Sequence, residues 1–100
     1  MEEQNQCCPI ERTLQVIGGK WTLLILRDLF TGTKRFGELL RSLHGISPKT
    51  LSERLRQLEA QGIIGRVIYP EIPPRVEYSL TEKGKSLQAI LGEMRTWGSS

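Results

Sequence analysis

Few side chains in this chain are equipped for chemistry. Cys7 and Cys8 stand side by side near the start, and His44 is the only histidine. A disulfide between neighbours closes a strained ring, and neither cysteine has another to pair with. There is no CxxC pair, and two cysteines with one distant histidine do not make a zinc site; no metal and no cofactor is expected. His44 reads as a turn residue. No nucleophile and orienting group can be assembled around it, and no glycine-rich phosphate loop appears, so an enzyme is excluded. Cys8 keeps one chemistry of its own. It precedes Pro9, which suits the first turn of a helix, so its sulfur lies near the N-cap, where the helix dipole favours a thiolate. Arg12 adds to that field and Glu11 opposes it. Cys8 is either a reactive thiol or an inert terminal cysteine.

The second chemistry is hydrogen bonding to nucleic acid. Leu51, Leu55 and Leu58 point in one direction on a helix that Ser47 caps and Pro48 opens. Lys49, Ser52, Glu53 and Arg56 lie roughly 100–200° from them at the helical repeat, with Thr50 and Gln57 on the flank. Lys49 and Arg56 can meet guanine acceptors or phosphate, Ser52 can meet a base, and Glu53 can accept from cytosine. Arg75 sits at a tip stiffened by Pro70, Pro73 and Pro74, from which it can enter the minor groove or clamp a phosphate. Its competing partners are Glu71 and Glu77. Lys34 and Arg35 are expected as backbone contacts.

An amphipathic helix shows polar residues outward whatever its function, so charge placement has to decide. The chain of 100 residues carries a formal +3, too little to diagnose a nucleic-acid partner. Residues 1–33 hold three basic and four acidic side chains, and residues 86–100 are neutral. Residues 34–85 hold ten basic against six acidic, so the excess falls on the stretch that carries the polar helix and the proline tip.

The elements that must position these groups follow from punctuation and periodicity. Ile10, Leu14 and Ile17 recur at helical spacing after Pro9, and Gly18-Gly19 ends that helix. A second helix over Lys20–Thr31 is apolar on most sides and should be the buried one. A short third carries Phe36, Leu39, Leu40 and Leu43, broken by His44-Gly45. The fourth runs from Pro48 to Gln61. Ile63–Tyr69 and Arg75–Leu80 make a β-hairpin about the proline turn. Thr81 caps one closing helix with Leu87, Ile90, Leu91, Met94 and Trp97 along one side. The fold expected is α+β, mainly α: a winged helix-turn-helix domain with a hairpin wing and a C-terminal dimerisation helix. Residues 8–98 form one domain, with 1–7 and the closing Gly98-Ser99-Ser100 flexible. The longest apolar run, Leu23–Leu26, is far too short to span a membrane, and the acidic start does not suit a secretory signal, so a cytoplasmic protein is expected.

Several motifs together resemble the HxlR-type family of bacterial transcriptional regulators. They are Cys8-Pro9-Ile10-Glu11-Arg12-Thr13, Ile17-Gly18-Gly19-Lys20-Trp21, Arg35-Phe36-Gly37-Glu38-Leu39, Gly45-Ile46-Ser47-Pro48-Lys49 with Leu51, Arg54-Leu55 and Leu58-Glu59, and Tyr69-Pro70-Glu71-Ile72-Pro73-Pro74-Arg75-Val76-Glu77-Tyr78-Ser79-Leu80-Thr81-Glu82-Lys83-Gly84. The resemblance spans roughly residues 8–97. It implies a MarR-like winged-helix homodimer on operator DNA, its first and last helices forming the interface through Ile10, Leu14, Leu87, Ile90, Leu91, Met94 and Trp97. It also implies that Pro48–Gln61 enters the major groove, and that Cys8 matches a cysteine with which some members sense oxidants. The length of the C-terminal apolar stripe points to dimerisation independently, and a two-fold dimer asks for an inverted-repeat operator. The rival reading is a winged helix serving as a protein–protein adaptor, which would show apolar or acidic residues where Lys49, Arg56 and Arg75 stand. Nothing polar converges strongly enough to name a small-molecule effector.

Overall fold

Residues 8–100 are described by a computed structural model of the chain; the flexible segment expected over 1–7, with Cys7, lies outside them. Helix α1 spans Pro9–Ile17 and α2 Lys20–Leu29. A two-residue strand β1, Lys34–Arg35, leads into α3, Phe36–Ser42, and then α4, Pro48–Ala60. Strands β2, Ile64–Tyr69, and β3, Arg75–Leu80, form the hairpin, and α5, Glu82–Lys85, and α6, Gln88–Ser99, follow it. This is the expected winged helix-turn-helix, mainly helical.

Local chemistry explains the helix boundaries. Pro9 and Pro48 occupy first helical positions, where no amide hydrogen is needed. Ser47 Oγ accepts from the Thr50 amide at 3.1 Å and so caps α4. Glu38 starts α3 by reaching back to accept from the Arg35 amide at 2.7 Å. Between α3 and α4 the chain reverses at Gly45, whose φ of +93° favours glycine, and buried Ile46 pins the turn to the core. α2 is the central helix as expected: Thr22, Ile25, Leu26 and Leu29 are buried, and Trp21, Leu23, Leu24 and Phe30 pack partly against the core. Leu39, Leu51, Leu55, Leu58 and Ile63 complete the interior.

Two expectations need correction. Lys34 and Arg35 form an edge strand, antiparallel to β3 with Lys34 opposite Tyr78 and Arg35 opposite Glu77, so the sheet is three-stranded in the order β1-β3-β2. The closing segment is two helices rather than one, and α6 continues through Gly98 to Ser99, where a loose end was expected. The break follows from how α5 docks. Thr81 Oγ1 donates to the Gly62 carbonyl at 2.6 Å and accepts from the Gly84 amide at 3.1 Å. Gly84 then lies so close to the Ile63 carbonyl oxygen that a Cβ there would collide with it. Ser86 Oγ donates to the Lys83 carbonyl at 2.5 Å, closing this single turn before α6 leaves the domain.

α6 has no fully buried side chain. Leu87 and Leu91 pack against the core, whereas Ile90, Met94 and Trp97 are exposed, Trp97 by 82%. α1 is similar: Ile17 is buried, but Ile10 and Leu14 remain 71% and 56% exposed. An isolated helix of this length is marginal in water. Both helices therefore show apolar side chains that the described residues of one copy do not cover.

Candidate nucleic-acid interface

α4 presents its leucines inward and its cations outward. Leu51, Leu55 and Leu58 are buried, Lys49 and Arg56 are exposed, and Ser52, Glu53 and Thr50 are half-buried on the flanks. Ser47 and Thr50 are partly committed to structure, since Ser47 Oγ also donates to Thr50 Oγ1 at 3.0 Å. The polar side chains with most freedom at the exposed face are thus Lys49 near the first turn and Arg56 in the middle. His44 is exposed in the turn before the helix. Arg54 faces elsewhere: it donates to Gln57 at 3.4 Å and shares a groove with Gln15, Gly18 and Gln61 on the α1 side.

The sheet is joined to this helix by a polar link. Arg66 on β2 pairs with Glu59 on α4 at 3.4 Å and stands opposite Tyr78 on β3. Tyr78 is buried, and burial pushes its phenol above the usual tyrosine range, with the Arg66 guanidinium opposing that rise. The phenol therefore stays neutral and available as a hydrogen-bonding group. Sequence reasoning assigned Arg66 no role. A basic residue in β2 and an acid late in α4 are the only signals for this link, and the hairpin register supplies the rest.

Arg75 is held rather than free. Its guanidinium stacks over the Tyr69 ring at 4.1 Å, and one terminal nitrogen meets Glu71 at 3.0 Å. Nε is buried 3.7 Å from Glu77, an ion-pair distance rather than a hydrogen bond. Exposed ion pairs contribute about 0.2–1 kcal/mol each and a cation–π contact about 0.5–1 kcal/mol. Three acting on one guanidinium are enough to fix its rotamer. Of the β1 cations, Arg35 is exposed and borders the wing-tip loop, while Lys34 is half-buried beside Asp28 and Glu38. The structure thus brings Arg35 and Arg75 to the wing and Lys49 and Arg56 to α4, and places Lys34 in a groove it shares with Asp28 and Glu38.

Cys8 occupies the N-cap of α1 with extended backbone, and its carbonyl accepts from the Arg12 amide at 3.1 Å. It is a free, half-exposed thiol whose sulfur makes no capping hydrogen bond. Among the described residues there is no cluster of His, Cys, Asp and Glu that could hold a metal ion, and no helix long and apolar enough to cross a membrane.

The family model for the HxlR-like helix-turn-helix matches residues 16–100. The chain belongs to that family. It is 53% identical over 97 residues to the HTH-type transcriptional regulator sll1512 of Synechocystis, covering 97% of this chain and 72% of that one. Among solved structures, the redox regulator HypR in its reduced form is 46% identical with a TM-score of 0.89, over 92% of this chain and 91% of HypR. Its oxidised form gives 47% and 0.87. The reduced transcriptional regulator YodB of Bacillus subtilis gives 43% and 0.79, over 90% and 89% of the two chains. HxlR-like proteins are transcriptional regulators built on a DNA-binding fold, not enzymes, and this chain is one of them.

Proposed function

We propose that the chain is a sequence-specific operator-binding regulator that acts as a homodimer in the cytoplasm. The observation that carries this reading is the exposed face of α4, where Lys49 and Arg56 stand opposite three buried leucines in a helix-turn-helix. α4 enters the major groove from its N-terminal end, where Lys49, Ser52, Glu53 and Arg56 reach base edges. Ser47 and Thr50 hold the first turn of α4 against the backbone, and Lys34, Arg35 and the wing that carries Arg75 take the flanking phosphates and minor groove. Pairing two copies through α1 and α6 covers Ile10, Leu14, Ile90, Met94 and Trp97, with Leu87 and Leu91 at the edge of that interface. Two α4 helices related by a two-fold axis then ask for an inverted repeat. Selection of bound duplexes from a random pool tests this directly. The adaptor reading loses support because the face a protein partner would use is basic rather than apolar.

Binding is further proposed to respond to thiol oxidation at Cys8, which is half-exposed at the start of the helix assigned to the dimer interface. Support comes from the likeness to HypR, a redox regulator solved in reduced and oxidised forms. Oxidation to a disulfide, between subunits or with a small thiol, changes the seating of α1 and with it the spacing of the two α4 helices. Diamide should shift operator affinity of the wild-type chain severalfold, and Cys8→Ser should not shift, as read by fluorescence anisotropy. An equal shift in both proteins, or none in either, contradicts the assignment.

A further inference from the structure

The wing tip is built from Pro70, Glu71, Ile72, Pro73 and Pro74, and its apex is an isoleucine. Ile72 is fully exposed at 101%, on a loop whose prolines restrict the backbone. We infer that Arg75 is a positioning residue, holding this loop so that Ile72, and not Arg75, is the side chain the wing presents to the minor groove. This rests on the reading of the chain as an operator-binding regulator.

The geometry around Arg75 assigns the two roles. Tyr69 ends β2 and lies opposite Arg75, which starts β3, so the stacked pair closes the mouth of the loop. Glu71 reaches the same guanidinium from within the loop, and Glu77 from further along β3. One face of the guanidinium and two of its nitrogens are thereby occupied by the wing itself. A phosphate approaching what remains of the guanidinium would meet the two carboxylates that flank it.

Charge supports the same division. Within the hairpin Glu71 and Glu77 outnumber Arg75, so Arg75 leaves no net positive charge there to clamp a phosphate. The neighbouring cation is Arg35, exposed beside the tip loop and able to meet the backbone on either side. An apolar apex flanked by a cation complements the minor groove, whose floor is base edges and whose margins are phosphates. Apolar side chains inserted there are a general means of gripping DNA without charge.

The two roles differ in what salt does. Operator titrations of the full chain over a series of salt concentrations should compare wild type with Ile72→Ser, Arg75→Ala, Arg75→Lys and the double change Glu71→Gln with Glu77→Gln. All four variants are expected to weaken binding by about tenfold with the wild-type salt slope, because loop order and apolar contact are lost but no phosphate contact is. Lysine does not restore affinity, since an ammonium cannot stack flat and fork between two carboxylates.

The inference is overturned if Arg75→Ala lowers the slope by about one phosphate, lysine restores it, and the double glutamine variant binds more tightly. Arg75 would then be a phosphate ligand restrained by its glutamates. An unchanged affinity in Ile72→Ser removes the isoleucine from the interface. Arg56→Ala in the same titrations tests the operator reading itself, because it should weaken binding whatever Arg75 does. Should the wild-type chain select no duplex, the presentation of Ile72 to DNA falls with that reading. Amide exchange over residues 70–76 then decides the positioning role: faster exchange in Arg75→Ala, not recovered in Arg75→Lys, supports it, and unchanged exchange refutes it.

Discussion

Replacing Leu14 and Met94 together by glutamate is expected to leave a folded monomer whose operator affinity is lower by about a hundredfold or more. Both side chains are exposed in the single chain, by 56% and 47%, so a charge at either position disturbs little of the fold within one copy. In the proposed dimer the same positions are covered by apolar surface, where an unpaired carboxylate is costly. The loss on DNA is large because the second half-site is bound at high effective concentration only while the subunits are joined, a gain of about 10²–10⁴. Sedimentation measures the dissociation and anisotropy measures the affinity. A double variant that still sediments as a dimer would show that α1 and α6 are not the interface. Substitution of Leu87 or Leu91 is a poorer test, because both also pack on their own core and their loss confounds folding with assembly.

Arg56→Ala carries the second large effect. It should cost about 1–3 kcal/mol on the selected operator and relax discrimination at one base pair in each half-site. The side chain is exposed on the outer face of α4, and the helix under it is fixed by Leu55 and Leu58, so truncation removes a contact without disturbing the core. Lys34→Ala is the contrast. Lys34 is half-buried beside Asp28 and Glu38, so its removal should weaken all sequences by a similar and smaller amount. Competition with operators altered at single positions separates the two. Equal losses across all duplexes for Arg56→Ala would make it a phosphate contact and not a base reader.

What could be read from the sequence was whatever depends on near neighbours. Pro48 and three leucines at helical spacing specify α4 within its own thirteen residues, Ser47 caps it from the position before, and the observed helix follows them closely. Gly45 marks the turn before it in the same local way. The elements that escaped depend on partners far along the chain. β1 is a strand because Tyr78 and Glu77 lie across from Lys34 and Arg35, which no propensity of a two-residue segment foretells. The closing helix divides because Gly84 must pass the Ile63 carbonyl, a contact set by the hairpin between them. At the wing, both glutamates were recognised as competitors for Arg75. Their success was decided by the strand register and by Tyr69 offering its ring, neither of which the local sequence states. The charge segregation survives in part. The basic middle of the chain does carry α4 and the wing, but Arg66 and Arg75 spend their charge on Glu59, Glu71 and Glu77. The outward-facing excess rests instead on residues such as Arg35, Lys49 and Arg56.

Selection of duplexes from a random DNA pool by the reduced chain tests the central claim most directly. The account predicts enrichment of an inverted repeat, its half-sites about one helical turn apart or a multiple of it, bound with an affinity that falls steeply as salt rises. A pool that stays unenriched after repeated rounds, or retention that does not depend on salt, would contradict it.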